Sequence, residues 1–455
     1  MSRVFPVFPR RTVLAGLAAA PLGLAKATAL QTPVSPSIES LLTRYCGVYR
    51  IAPDHMLGVE QFIADSGDRL LLFADYQTSK VRSLHRLSDT EYSAGPRLGV
   101  NEPVDFTINF QTGKSERIEG LRLRTADGDD ILAPKIHSRE EDVVFEQDDA
   151  LLLGNLILPD GKGPHPAIIL LHGSGPLTRY SFGPYARFFN SLGLAVLVYD
   201  KRGTGKSSGQ RFDASTFAAP DTLWEDYYPD RLANDAVAAL SYLRSRRDID
   251  RRRIGFWGSS EGGMLSLYAA AKSSNVAFAI NSSGFMGPLW ETILYQDCAI
   301  SEASGRSPEE VEKVREFVQF WMQVARTGDG YEAFSQRYQA LAENDDRWLL
   351  QFCPPFASLK QMRWTWDHIL AFDSLSFLSQ VQCPALGLFG EGDIITNAAV
   401  AAPAMLQGLA DAGNDESQAH IIPDARHSLM SISSPGQMGD GVFDTLRGWL
   451  HPKIR

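Results

Sequence analysis

The stretch GSSEG at residues 258–262 determines how the rest of the chain is interpreted. An apolar run at residues 253–257 precedes it, and a run of small and apolar residues at 264–271 follows it. A GxSxG motif between a strand and a helix is typical of the nucleophile elbow, a tight turn that holds the serine side chain clear of the backbone while the glycines relieve crowding. The sequence therefore predicts Ser260 as a nucleophile.

A second GxSxG match, GKSSG, lies at residues 205–209. No helical apolar periodicity follows at residues 210–214, so the strand-turn-helix context is missing. The same residues also resemble the end of a phosphate-binding loop, but Asp200 stands where that motif requires a glycine. We therefore predict neither a nucleophilic role for Ser207 nor a phosphate site.

A serine nucleophile needs a histidine to accept its proton and a carboxylate to orient that histidine. In this kind of fold they follow the nucleophile in the order acid, then histidine, each just after a later strand. Asp393 follows the apolar run 385–389, and His427 follows the strand candidate 419–422. We predict Asp393 as the acid and His427 as the base. Glu391, two residues nearer the strand, is the alternative acid.

A glycine-containing loop, HGSGP at residues 172–176, follows the apolar run 167–171. Backbone N–H groups of such a loop can bind the oxyanion that develops during acyl transfer. We predict the N–H of Ser174 as one donor, with that of Gly173 as the alternative. The second predicted donor is the N–H of Glu261, at the start of the helix after the nucleophile, where the helix dipole also favours negative charge.

Taken together, these motifs resemble the α/β-hydrolase superfamily over residues 141–455. The segments HGSGP, YDKRGTGKSSG, IDRRRIGFWGSSEGG, GEGD and RH are similar to bacterial serine esterases and peptidase-like hydrolases related to dienelactone hydrolase and prolyl oligopeptidase. The resemblance implies a triad of Ser260, His427 and Asp393, and a structural role for the turn DKRG. Many relatives carry histidine before the nucleophile, where this chain has Ser259, so the resemblance does not supply a substrate preference.

From Val143 onward, apolar strand candidates alternate with helical segments, as an open and mostly parallel sheet flanked by helices requires. The alternation stops between residues 283 and 379, where aromatic-rich helical runs predict a helical cap at about residues 285–377. Most of its aromatic side chains should form the core of the cap, and a minority should face the pocket. Residues 212–228 are a candidate second wall. The strand candidates are 152–157, 167–171, 194–199, 253–257, 277–281, 385–389 and 419–422, and the helices outside the cap fall near 183–192, 230–246, 261–273, 399–411 and 442–450.

Residues 37–140 have a different sequence pattern from the rest of the chain. Apolar and polar residues alternate at 105–110 and 120–124, with turn signals between such segments, which predicts a small antiparallel β domain. An accessory wall, a dimerisation surface and a binding role are all compatible with it. We predict no catalytic residue there.

Paired arginines near the start of the chain, Arg10 and Arg11, precede a mildly apolar run that reaches Ala25. Small residues suited to signal peptidase follow, so residues 1–29 predict a twin-arginine-type signal peptide and export to the periplasm or beyond the cell. The run is short for a membrane-spanning helix. An uncleaved amphipathic tail is the alternative.

The chain of 455 residues carries a formal net charge of −10 and four cysteines. Exported proteins can keep disulfides, so Cys298 and Cys353, both in the cap, are the candidate pair, with two buried free thiols as the alternative. The cysteine spacing suggests no metal site, and the lack of basic runs argues against nucleic acid as a partner. We expect neither a metal nor an organic cofactor.

These observations lead to the expectation of an exported serine hydrolase that cleaves a carboxylic ester through an acyl-enzyme. The substrate would be a small molecule or peptide-like. Amides, peptides, thioesters and lactones would use the same residues. A binding protein without activity on the same scaffold is the alternative of a different class.

Overall fold

The computed structural model describes residues 42–63, 69–114, 117–210 and 229–455. The predicted signal peptide at 1–29 and the candidate second wall at 212–228 lie outside these residues. The described residues form an antiparallel barrel followed by a larger sheet with helices on its faces.

The N-terminal unit is a closed antiparallel barrel in which each strand pairs with the next. Its strands are β1 (Gly47–Ala52), β2 (His55–Ile63), β3 (Arg69–Asp75), β4 (Val81–Arg86), β5 (Glu91–Ala94), β6 (Phe106–Thr112), β7 (Ile118–Thr125) and β8 (Asp130–Ile136). Strand β8 returns to β1, with Val48 opposite Ile136 and Tyr49 opposite Lys135. Buried aliphatic and aromatic side chains fill the interior, as expected for eight strands. The predicted small antiparallel β domain is confirmed.

The second unit is built on an eight-stranded sheet. Its strands are β9 (Ser138–Gln147), β10 (Ala150–Pro159), β11 (His165–Leu171), β12 (Ala195–Tyr199), β13 (Ile249–Ser259), β14 (Ala279–Ser282), β15 (Ala385–Gly390) and β16 (Gln418–Ile422). Their spatial order is β16-β15-β14-β13-β11-β12-β10-β9. Strands β11 to β16 are parallel, whereas β9 and β10 are antiparallel at one edge. The mostly parallel sheet is thus confirmed, and the loops after β11, β13, β15 and β16 lie at the same edge.

Strand β9 is not predicted from the sequence, and the predicted domain boundary between residues 140 and 141 falls inside it. The strand pairs along its whole length with β10, from Ser138 opposite Pro159 to Gln147 opposite Ala150. Along β9 only two residues, Val143 and Phe145, are buried, because it is the edge strand and most of its other side chains are charged. The apolar periodicity that marks the other strands is therefore weak here.

Helices cover both faces of this sheet, close to their predicted positions. They are α1 (Tyr185–Ser191), α2 (Asp230–Ser245), α3 (Glu261–Ala271), α8 (Ala398–Ala410) and α9 (Val442–Ile454). Buried residues of α2, α3 and α8 belong to one hydrophobic cluster, and those of α1 and α9 belong to another.

A helical insertion lies between β14 and β15. It contains α4 (Leu289–Ala303), α5 (Pro308–Thr327), α6 (Tyr331–Ala342), a 3-10 segment (Asp345–Phe352), α7 (Leu359–Thr365) and a π turn (Trp366–Leu370). Phe317 and Trp321 are fully buried in the same cluster as the core helices, so these aromatic side chains serve packing. The two ends of the insertion meet, since Leu289 N donates to Phe372 O at 2.8 Å.

An ionic cluster joins the barrel to the second unit. Arg187 of α1 is almost fully buried, and its guanidinium lies 2.7 Å from Glu60 of β2 and 2.9 Å from Glu140 of β9. Tyr76 Oη also donates to Pro184 O, at 3.0 Å. The ion pair between Arg187 and Glu60 and the buried hydrogen bond between Tyr76 and Pro184 therefore tie the barrel to the α/β unit.

The candidate disulfide is wrong, because Cys298 and Cys353 are both free and buried. Cys353 Sγ lies 3.4 Å from Pro354 O, to which it donates, so its thiol is directed to the backbone beside it. Burial raises the pKa of the Cys353 thiol well above its usual value. Separately, the helices in the described ranges include none long and apolar enough to cross a membrane.

Candidate active site

Ser260 lies in a strained turn between β13 and α3. Its φ of 59° and ψ of −126° are rare for a residue with a side chain. Such a conformation costs about 1–3 kcal/mol and persists only where the surroundings impose it. Hydrogen bonds from Ser260 N to Ser282 O and from Gly263 N to Ser260 O, at 2.8 and 2.9 Å, hold the turn. Ser260 remains partly exposed.

The glycines around Ser260 are required by close backbone approach. A Cβ at Gly258 would lie 2.0 Å from Gly262 O, and a Cβ at Gly262 would lie 2.1 Å from Leu171 O. Gly173, in the loop after β11, has its would-be Cβ 3.4 Å from Ser260 Cβ. The motif therefore packs tightly, and the predicted oxyanion loop lies directly beside Ser260.

Asp393 and His427, predicted from separate strand ends, are in contact. His427 Nδ1 lies 2.8 Å from Asp393 Oδ2, and Asp393 Oδ1 accepts hydrogen bonds from the backbone N–H groups of Ile395 and Thr396. The Asp393 side chain is fully buried, whereas that of His427 is 25% exposed. Because Asp393 holds Nδ1, Nε2 is the ring nitrogen left to accept a proton.

The rival acid, Glu391, does not contact His427. Its carboxylate is exposed and accepts the backbone N–H of Asp424 at 3.2 Å. In the part of the chain that the structure describes, no hydrogen bond joins Ser260 Oγ to His427 Nε2. Contacts between a nucleophile and its base are often long before substrate binds.

The second motif serine has a structural role. Ser207 is buried, and its Oγ donates to Asp200 O at 2.7 Å while accepting from Leu153 N at 2.9 Å. The Asp200 carboxylate accepts from Arg179 and from Lys206 N. The Ser207 hydroxyl is therefore held between two backbone groups, and it donates its proton to a carbonyl oxygen, which cannot act as a general base.

The predicted oxyanion loop begins at a buried imidazole. His172 packs against Phe182 and Tyr199, with ring centroids 4.5 and 5.4 Å away. Burial lowers the pKa of His172 to about 3, with the nearby Lys201 ammonium acting in the same direction, so the ring is neutral. The loop backbone therefore starts from a rigid and uncharged anchor.

Sequence reasoning missed two residues that contact the site. Lys201 Nζ donates to Glu261 Oε2 at 2.5 Å and to Gly173 O at 3.1 Å. Tyr295 of α4 donates from Oη to Asp393 O at 2.8 Å. The DKRG motif indicated the turn that contains Lys201. No sequence pattern, however, indicates contacts between residues this far apart in the chain.

The comparison with known families agrees with this geometry. Residues 168–440, more than half of the chain, match the model of the Alpha/beta hydrolase family. The chain therefore belongs to the α/β-hydrolase family, as the sequence motifs predicted. Its placement in the branch related to dienelactone hydrolase and prolyl oligopeptidase remains a prediction.

Individual relatives are similar over part of the chain. Esterase EstD of Thermotoga maritima is 28% identical over 210 residues, which are 41% of this chain and 47% of that protein. The quorum-quenching protein AidA of Acinetobacter baumannii is 31% identical over 144 residues, 32% of this chain and 43% of that protein. The chain thus spans less than half the length of these curated relatives. Among solved structures, an esterase of Pyrococcus furiosus aligns over 70% of this chain and 92% of its own, with 16% identity and a TM-score of 0.45.

Proposed function

We propose that this protein is a serine hydrolase that cleaves a carboxylic ester through an acyl-enzyme. Ser260 is the nucleophile, His427 the general base and Asp393 the acid that orients His427. The observation that carries the proposal is the conformation of Ser260, whose φ of 59° is imposed by a turn with no room for side chains at Gly258 and Gly262. Nucleophilic serines of this fold sit on such a turn.

The chemistry follows from the roles of these groups. Ser260 Oγ attacks the acyl carbon while His427 Nε2 takes its proton, and the carbonyl oxygen becomes an oxyanion bound by the N–H groups of Ser174 and Glu261. The bond between the acyl carbon and the alcohol oxygen then breaks, and His427 returns the proton to that oxygen as the alcohol leaves. Water repeats the sequence on the acyl-enzyme and releases the acid. Asp393 keeps the imidazole in the required tautomer.

An ester is proposed as the substrate because Esterase EstD is similar over 41% of this chain. An amide, peptide, thioester or lactone would use the same residues, so substrate class needs a direct test. The mature protein should be assayed on matched p-nitrophenyl esters and p-nitroanilides that carry the same acyl groups. We expect faster turnover of the esters by a margin larger than their difference in uncatalysed reactivity. Faster turnover of the anilides would assign the protein as an amidase instead.

We also propose export by the twin-arginine route, on the sequence of residues 1–29 alone. Replacing both Arg10 and Arg11 by Lys should leave the precursor in the cytoplasm, whereas Arg3→Lys, outside the pair, should be exported normally. N-terminal sequencing of the exported form should find a start close to Thr28 or Leu30. Normal processing of the double-lysine variant would exclude this route.

A further inference from the structure

A buried ammonium group lies between the two halves of the proposed oxyanion hole. Lys201 follows β12, and its side chain is only 4% exposed. Its Nζ lies 2.5 Å from the carboxylate of Glu261, which is 5% exposed, and 3.1 Å from Gly173 O. We propose that Lys201 is a positioning residue that holds both backbone donors of the oxyanion hole in place. The proposal rests on the acyl-transfer function proposed above.

The contact with Gly173 acts on the first donor through the peptide plane. Gly173 C=O and Ser174 N–H belong to one peptide group, which is planar, so directing the oxygen toward Lys201 directs the N–H away from it. A cation on a carbonyl oxygen also polarises the peptide and makes its N–H a stronger donor. Lys201 therefore orients and strengthens the donor at Ser174.

The contact with Glu261 acts on the second donor. Glu261 is the first residue of α3, and its backbone N–H is the donor proposed to face the oxyanion. Its carboxylate is fixed to Lys201, which in turn is bonded to Gly173. One side chain thereby links the loop after β11 to the start of α3, and sets the spacing of the two N–H groups.

The pair also has an electrostatic consequence. A buried carboxylate beside the oxyanion hole would repel the developing negative charge, and Lys201 cancels this repulsion. A buried ion pair usually adds little to the stability of a protein, because replacing both partners by apolar residues is often neutral or stabilising. Conversely, replacing Lys201 alone would take this ammonium group away from the buried Glu261 carboxylate, and would so add a charge effect to the loss of the link. The double replacement is therefore the informative variant.

The test compares two neighbouring buried ion pairs in the full chain. Lys201→Met/Glu261→Met removes the proposed link but keeps both backbone donors. The matched control, Arg202→Met/Asp235→Leu, removes a second buried ion pair. Its charged groups lie 2.6 Å apart, and both side chains are 1% exposed. This pair bonds Arg202 to α2 instead of to the oxyanion loop. Folding is checked by circular dichroism and denaturant unfolding, and kcat and KM are measured with p-nitrophenyl butyrate.

A trifluoromethyl ketone supplies a second readout. Ser260 Oγ adds to its carbonyl carbon, the serine proton passes to His427, and the ketone oxygen becomes an oxyanion in the hole. We expect Lys201→Met/Glu261→Met to lower kcat about 100- to 1000-fold, as does the loss of one oxyanion donor. Ketone affinity should fall with kcat, whereas KM should stay within about threefold of wild type. The control pair should keep kcat and ketone affinity, whatever it does to stability.

Unchanged kcat and ketone affinity in folded Lys201→Met/Glu261→Met would overturn the proposal, as would an equal loss of both in the control pair. If the apolar variant does not fold, Lys201→Gln/Glu261→Gln keeps a polar pair of similar volume without the ammonium, and the same readouts decide. Failure of the proposed function is a separate result, because it would appear as activity that survives Ser260→Ala in the otherwise unchanged protein.

Discussion

Met438 N donates a hydrogen bond to Ser79 O at 2.8 Å, and this bond joins the loop that follows His427 to the N-terminal barrel. Beside it, Val81 N donates to Gly436 O, also at 2.8 Å. The start of β4 thus pairs in a strand-like manner with the loop. The same loop folds back on the segment next to His427, since Met438 also forms a β-bridge with Met430. The barrel therefore supports the residues around the proposed general base.

A glycine substitution tests this support. Gly436 has a φ of 88°, and a Cβ there would lie 2.6 Å from Arg82 Nη1 and 2.7 Å from Pro96 O, both in the barrel. Gly413 has a similar φ of 76° but nothing within 4 Å of a Cβ. Gly436→Ala and Gly413→Ala should share a backbone cost of about 1–2 kcal/mol. Only Gly436→Ala should also displace the loop of His427, and we expect its kcat to fall by about tenfold.

Denaturant unfolding and kcat, measured on both variants, check this expectation. If the two alanine variants showed the same loss of stability and the same kcat, the barrel would contact the loop without affecting catalysis.

The acid of the proposed triad can be tested against its sequence rival. Asp393→Asn keeps the volume but holds His427 in the wrong tautomer, which should lower kcat on the order of 10⁴-fold. Glu391→Gln should leave kcat near the wild-type value, because the Glu391 carboxylate is exposed and accepts a hydrogen bond from the backbone N–H of Asp424, away from His427. Steady-state kinetics with one activated ester measure both. A large loss in Glu391→Gln together with a small loss in Asp393→Asn would reverse the assignment.

Burial of His172 predicts a pH dependence of stability. The pKa of His172 in the folded protein is about 3, well below the ordinary value of 6.5. Between pH 3 and pH 6.5, His172 therefore binds a proton in the unfolded chain but not in the folded chain. The free energy of unfolding should therefore fall as pH drops from about 6.5 toward 3, by at most about 5 kcal/mol from this residue. His172→Gln should flatten the slope in that window, whereas His420→Gln, at an exposed position on β16, should not.

Denaturant unfolding at several pH values gives these slopes, and the slope is informative even if His172→Gln is less stable throughout. Identical slopes for the wild type and His172→Gln would show that other groups control acid stability.

The parts of the fold that follow from local patterns could be predicted from the sequence. Buried strands such as β12 are continuous apolar runs, and the helices between them show a regular apolar period. The predicted positions of these strands and helices are therefore close to the observed ones. The edge strand β9 could not be identified, since Val143 and Phe145 are its only buried residues. Closure of the barrel depends on β1 meeting β8, far apart in the chain, and local alternation carries no information on that contact.

The candidate site divides in the same way. Ser260, Asp393 and His427 could be chosen because each follows a strand at a position that the fold prescribes. The Lys201 contact with Glu261 joins residues from different strand ends through side chains, and nothing in the spacing of residues specifies it. Expectations for the disulfide failed for a related reason, because sharing one helical insertion does not place two thiols in contact.

The cap leads to an expectation for acyl selectivity. Its aromatic helices lie between β14 and β15, and Tyr295 of α4 bonds to Asp393 O, so the cap reaches the proposed site. We expect bulky or aromatic acyl groups to be preferred over acetate, with each accommodated methylene worth about 1 kcal/mol in kcat/KM. A short linker in place of residues 288–373, whose ends already meet, should reduce this discrimination more than it reduces turnover of a small activated ester.

A series of p-nitrophenyl esters of increasing chain length measures the preference. Tyr295→Phe, which keeps the ring and removes only the bond to Asp393 O, separates cap packing from that single contact. Preference of the intact protein for acetate would contradict this account of the cap.

Covalent labelling tests the central claim, that Ser260 is the nucleophile, most directly. A fluorophosphonate should label the protein once, and mass spectrometry of its peptides should find the adduct on Ser260. Ser260→Ala should not be labelled, and its turnover should be about a millionfold lower than that of the wild type. Ser207→Ala should be labelled, and its turnover should be close to that of the wild type apart from any loss of stability. Adduct on another serine, or turnover that survives in Ser260→Ala, would contradict the account.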